Sequence, residues 1–365
     1  MKKIVTIILI ALIFTSCGFQ KSQEVEDYAK ETQHIPKTTQ ATQPTETLTE
    51  IDDNPVLAFV TIGGTEYDTS LVELDLNWKD LGNEDIAPLK HFANLEHLIL
   101  SGNEISDLTP LSTLANLERL DLSRNKISDL TPLSELVNLK HLDFWWNKVS
   151  DLTPLSKLVN LEDLIFRENE VSDLTPLSRL VNLKRLDFGD NKINDLTTLS
   201  ELANLEHLGF WDNKVSDITP LSRLVKLDVL IFDGNEVSNL LPLSELTSLT
   251  ILYMQFNEIS DLTPLSELVN LERLGFENNK VSDLSPLSEL TNLKTLNAAN
   301  NQLVDLTSLS AHNNLEYLFL QGNQIEDLSP LLNIESLNTL FWHNNPIDDL
   351  SLLEQFEEKG VNFTF

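Results

Sequence analysis

The chain has 365 residues, 41% hydrophobic and 22% charged, which suits a folded protein and leaves the number of domains open. Its 57 Asp and Glu against 25 Lys and Arg give a formal charge of −32. A polyanion of that size is repelled by phosphate backbones and bare anionic membranes, which excludes nucleic acid as a partner and favours basic ones.

At the N-terminus, Lys2 and Lys3 precede an apolar run from Ile4 to Phe14, and small Thr15 and Ser16 follow. This is the pattern of a secretory signal, and the run falls short of the roughly 20 residues a membrane-spanning helix needs. "FTSC" resembles a bacterial lipoprotein box, with Phe14 where that family prefers Leu. The resemblance implies that residues 1–16 are removed and that Cys17, the single cysteine, is lipidated. Two acyl chains there would give stable anchoring, the membrane being met through that lipid only. An ordinary secretory signal with a chance cysteine is the alternative. Residues 17–53 are rich in Gln, Thr and Glu without hydrophobic periodicity, and read as a disordered tether.

Residues 54–94 hold a cap and an imperfect first unit. "VLAFVTI" reads as a capping strand; Leu71, Leu74 and Leu76 match a later pattern, but Lys79 stands where asparagine is expected. From residue 95 to 358 a unit of 22 residues governs the chain. Asn103, Asn125 and ten further asparagines, ending at Asn345, follow at that interval inside L-x-x-L-x-L-x-x-N-x-(I/L/V). This is the leucine-rich repeat signature. In L-x-L the two leucines point to one face of a short strand and the residue between them to the other. Stacked units share one core and one parallel sheet. Leu108, Leu111 and Leu114 are three apart, which fits a tight helical turn, and Pro110 suits its first position.

The fold class predicted is α/β: a right-handed leucine-rich repeat solenoid, a horseshoe or arc, with a parallel concave sheet and short helical turns on the convex side. Asparagines in the ladder are expected to satisfy backbone groups at the bend, and the aspartate row at Asp107 and its equivalents to cap the turns. Phe144, Phe166, Phe188, Phe210, Phe232 and Phe276 are expected in the core. His312 occupies a leucine position, where a local distortion is expected. Residues 359–365 read as a terminal cap strand.

The 22-residue unit, with "LTPL" after "N-x-(I/V)-S-D", resembles the internalin-type repeats of bacterial surface proteins, from about Leu71 to Phe365. That resemblance implies a concave face binding a host or neighbouring surface protein, on an extracytoplasmic, surface-exposed chain. Concave positions are the residues between and beside the paired leucines. Trp145, Trp146 and Trp211 cluster there, with Tyr253, Phe256, Tyr317, Phe319 and Phe341 toward the C-terminal end. Exposed aromatic rings are enriched at binding hot spots, so these eight are the candidate partner-binding residues. Duplication of a three-unit block accounts for the recurrence of Trp145 at Trp211 without explaining why the rings are tolerated. Glycan or cell-wall recognition by the tryptophans is the second reading. No GxSxG, HExxH or phosphate-binding loop is present, and His97 and His141 stand roughly 10 Å apart by strand spacing, too far to share a metal. No catalysis, no metal and no cofactor are expected.

Overall fold

The computed structural model describes residues 57–347 and 351–362. The signal segment, Cys17 and the tether lie outside the described residues. A hairpin opens the described part: β1 (Phe59–Ile62) runs antiparallel to β2 (Thr65–Asp68). Gly63 and Gly64 join them with φ of 54° and 81°, the left-handed pair that a two-residue hairpin turn requires. The single strand expected over "VLAFVTI" is thus the first arm of a hairpin.

Thirteen short strands follow, one per turn, in one parallel sheet ordered as in the sequence. They are β3 (Glu73–Asp75), β4 (His97–Ile99), β5 (Arg119–Asp121), β6 (His141–Asp143), β7 (Asp163–Ile165), β8 (Arg185–Asp187), β9 (His207–Gly209), β10 (Val229–Ile231), β11 (Ile251–Tyr253), β12 (Arg273–Gly275), β13 (Thr295–Asn297), β14 (Tyr317–Phe319) and β15 (Thr339–Phe341). Equivalent residues pair throughout, Leu120 with Leu142 and Asp121 with Asp143 for instance, so every repeat position becomes a row across the sheet. The central leucine of each strand faces the core, and its two neighbours line the concave face. Between strands the chain makes 3₁₀ turns, such as Thr109–Leu111 and Thr153–Lys157, with proline in the first turn. The three-residue spacing of leucines eclipses them on the buried side of such a turn.

Four rows hold the coil together. The phenylalanines stack: the Phe144–Phe166, Phe166–Phe188, Phe188–Phe210 and Phe210–Phe232 centroids are 5.6, 5.8, 5.8 and 5.5 Å apart. Met254 then interrupts the row before Phe276, and both are buried. The asparagine ladder ties each bend to its predecessor. Asn235 donates from Nδ2 to the carbonyls of Phe210 (3.0 Å), Phe232 (3.1 Å) and Asp233 (3.2 Å), and its Oδ1 accepts from the Val215 amide at 3.0 Å. Among the described residues each aspartate of the convex row, from Asp107 to Asp327, accepts from the amide two residues on, as Asp151 does from Thr153 at 2.8 Å, forming a side-chain turn that starts the 3₁₀ segment. The Thr153 hydroxyl, then its amide, hold the Asp151 carboxyl below its ordinary value. A second, exposed asparagine row crosses the other bend: Asn182 donates to Val159 O and Asn204 to Val181 O, each at 2.8 Å.

His312 corrects an expectation. It is fully buried without any break in the coil: its amide donates to Leu309 O at 3.0 Å, as in other turns. Its Nε2 lies 3.1 Å from Leu287 O, so one ring nitrogen is hydrogen-bonded, and burial pushes its pKa down. At the far end Ser351–Glu358 forms an α-helix, α1, that buries Leu353 and Phe356. Beyond it Asn362 makes a single parallel bridge to Thr339 on β15.

Candidate functional site

Two rows on each strand and a third at its C-terminal bend form the concave face and its rim. The bend has a fixed conformation. The residue just before the ladder asparagine, or before Lys79 in the first unit, has positive φ in all thirteen turns, from Trp78 (51°) and Gly102 (68°) to Asn344 (58°). Glycine, asparagine or aspartate fills eight of these positions, as expected for left-handed backbone. Trp78, Arg124, Trp146, Glu168 and Phe256 fill the rest. Left-handed backbone costs an ordinary L-residue roughly 1–2 kcal/mol. Trp78, Trp146 and Phe256 are nevertheless 63%, 50% and 59% exposed, so burial offers them little compensation.

Four of the sequence-derived aromatic candidates are not solvent-facing. Trp211, Tyr253, Phe319 and Phe341 are only 8%, 9%, 3% and 8% exposed. Strands stand about 4.8 Å apart, so a long side chain on one reaches over its neighbour. Trp211 lies across Gly189, where an added methyl would come within 2.1 Å of the indole. Tyr253 lies against Gly275 in the same way, at 2.8 Å. Phe319 stacks on Phe341 with centroids 4.9 Å apart. None of these four is among the stacked leucines; they cover the concave surface itself. Tyr317 and Trp145 are partly buried, and Trp146 and Phe256 remain exposed.

What the structure brings together is an N-terminal cluster. The Arg124 guanidinium carbon lies 5.7 Å from the Trp78 ring centroid, 4.4 Å from Trp145 and 4.9 Å from Trp146. The two adjacent indoles are 6.1 Å apart and tilted by 57°. Trp78 reaches this group by lying across Gly102. Sequence reasoning missed Trp78 and Arg124. The signal was available: "LDLNWKDL" aligned on "LDFWWNKV" puts Trp78 in the row of Trp146, with Arg124 between them.

Charge on the concave face is unevenly compensated. Arg167 pairs with Asp187 at 2.6 Å, both largely buried, and Asp163 has Arg185 at 4.0 Å and His141 at 3.7 Å. Asp121 and Asp143, side by side on β5 and β6, form no ion pair among the described residues. Burial pushes both carboxyls up, Asp143 furthest, with the neighbouring Asp121 charge adding to it. Asp233 is pushed up to about 7 by burial, against the Gln255 amide donating to it at 2.7 Å. Among the described residues no group of His, Cys, Asp and Glu is arranged to hold a metal, and no helix is long and apolar enough to cross a membrane.

A family model described as leucine-rich repeats in two copies matches residues 93–135, 159–203, 181–223, 269–311 and 313–355, together more than half of the chain. No curated protein gave a match. Among solved structures, an internalin (InlF) from Listeria monocytogenes is 31% identical with a TM-score of 0.76, over 82% of this chain and 89% of that one. The functional domain of InlJ from the same organism is 23% identical, TM-score 0.68, over 78% and 66% of the two chains. A plant peptide hormone receptor, RGFR1 in complex with RGF2, is 21% identical, TM-score 0.66, over 76% of this chain and 48% of that one. The last two likenesses concern the fold alone.

Proposed function

We propose that this chain, which belongs to the leucine-rich repeat family and is internalin-like, binds a protein partner on its concave face and that face's rim. The reading is recognition by contact, without a reaction: aromatic anchors are buried against the partner and charged flanks orient it. The observation that carries it is the pair of exposed tryptophans about Arg124, Trp78 and Trp146, held at left-handed positions where the fold alone would select glycine, asparagine or aspartate. Trp and Arg are the residue types most enriched at protein-binding hot spots. The internalin likeness supports a surface location, and the N-terminal sequence pattern supports attachment through lipid on Cys17 with residues 17–53 as tether. Phe256, and Tyr317 with it, would extend the contact toward the C-terminal half. The test is capture of surface proteins by the protein and by the Trp78→Asn/Trp145→Ser/Trp146→Asn variant. Loss of a captured partner in the variant is expected; identical capture by both forms refutes the reading. Sugar stacking on Trp146 is the second reading, since an exposed indole face suits it, and a glycan array separates the two.

A further inference from the structure

We propose that the partner anchors at the N-terminal rim, on Trp78, Trp145 and Trp146 beside Asp121 and Asp143, and that the segment it presents there is basic, a Lys or Arg flanked by apolar side chains. This rests on the protein-binding reading and gives it a place and a partner chemistry.

The place follows from exposure. From β8 onward the middle concave residue is mostly covered, as Asp187, Tyr253, Asn297, Phe319 and Phe341 are, whereas on β4 to β7 Ile99, Asp121, Asp143 and Ile165 remain half-open. Solvent-accessible indole surface is likewise concentrated at Trp78 and Trp146.

The chemistry follows from charge. The rim rings and the strand carboxylates belong to the same bends. Asp143 Oδ1 accepts from the Trp145 amide at 3.1 Å, Asp121 Oδ1 from the Ser123 amide at 2.9 Å, and Asp75 Oδ1 from the Asn77 amide at 3.0 Å. Each carboxylate is thereby fixed at the foot of the rim. Arg167 is paired with Asp187 and Arg185 with Asp163, while Arg119 acts on Asp121 and Arg167 on Asp143 only electrostatically, so neither Asp121 nor Asp143 has a close ion pair among the described residues. Arg124 already fills the space between the rings, so an incoming cation lies along the carboxylates and its apolar flank on the indoles. A net charge of −32 steers a basic segment toward the face and repels an acidic one.

The test is calorimetric titration of the full chain with short synthetic peptides of alternating Lys/Leu, Gln/Leu and Glu/Leu, and with chitohexaose. The expected result is salt-sensitive binding of the Lys/Leu peptide, at least about tenfold tighter than Gln/Leu, with Glu/Leu silent. Trp78→Asn/Trp146→Asn and Asp121→Asn/Asp143→Asn should each weaken it by about tenfold or more, while Tyr253→Leu/Phe341→Leu leaves it unchanged. Asparagine is the residue of this row at positions 278, 300 and 344, so the rim variant keeps its fold, which its unfolding midpoint checks. Lys/Leu binding that survives both N-terminal variants and fails in the Tyr253/Phe341 variant overturns the rim and leaves protein binding standing. Equal affinity for Gln/Leu or Glu/Leu overturns the basic occupant alone. Chitohexaose binding with every peptide silent overturns both, and silence of all probes overturns this proposal.

Discussion

Replacing Asn235 by alanine isolates what one rung of the ladder contributes. Its Oδ1 is the acceptor for the Val215 amide, which has no other among the described residues. The carbonyls it serves are shared: Phe210 O also accepts from Asn213 at 3.2 Å and Phe232 O from Asn257 at 3.0 Å. The loss is therefore asymmetric. One buried N–H is orphaned, costing about 1–3 kcal/mol, while the carbonyls keep a donor and add at most about 1 kcal/mol. The sum is about 1–4 kcal/mol, centred on about 2.5 kcal/mol. Asn204, in the exposed row, donates to Val181 O and accepts from Lys226, both at 2.8 Å in solvent, and its alanine variant should stay within about 0.5 kcal/mol of wild type. Urea unfolding gives the global difference. Because long repeat arrays can lose two-state behaviour, hydrogen exchange at the Val215 amide supplies the local one. A cost for Asn235→Ala within about 1 kcal/mol of that for Asn204→Ala, with the Val215 amide still protected, would refute this account of the ladder.

Three further outcomes follow from groups described above. The buried His312 has a lowered folded pKa, so the unfolded chain takes up its proton first and stability is lost as pH falls below about 6.5; His312→Leu should flatten that loss in thermal melts across the acid range. Arg167→Met strands the Asp187 carboxylate and should cost about 3 kcal/mol by chemical unfolding, most of it recovered when Asp187→Leu is added. Asp151→Ala removes one convex side-chain turn, at about 0.5 kcal/mol. Since the Asp151 carboxyl titrates below its ordinary value, that difference is present above about pH 4 and disappears as pH falls through the lowered value, which paired acid titrations check.

The architecture was legible because its causes are periodic. An asparagine every 22 residues and leucines in L-x-L fix strand, bend and register together, and the phenylalanine row follows from the same count. The hairpin is less legible although "VTIGGTEY" carries its turn signal, because the apolar run before the glycines fits a strand by itself and the polar second arm does not stand out. Exposure on the concave face was less legible. Whether Trp211 meets water depends on residue 189, one repeat earlier in the same row, being glycine. That was present in the sequence but needed rows read across repeats rather than along them. His312 was expected to distort the coil because the carbonyl that receives it, Leu287 O, belongs to the preceding turn and cannot be placed from spacing alone. The left-handed bend was invisible, since several of its occupants are not residues that announce it.

That bend also limits the vocabulary in which this surface can be written. Valine, isoleucine, threonine and proline are missing from all thirteen positions, as branching at Cβ or a closed ring forbids the backbone angle there. Because an asparagine immediately beneath anchors twelve of these positions, the outward letter can change among unbranched residues without respelling the core, subject to its neighbours in the row: Gly102 leaves room for Trp78 to lie across it. New specificities can thus be drafted along this edge from tryptophan, arginine, phenylalanine, glutamate and the small polar residues, but not from the β-branched side chains that dominate ordinary sheets.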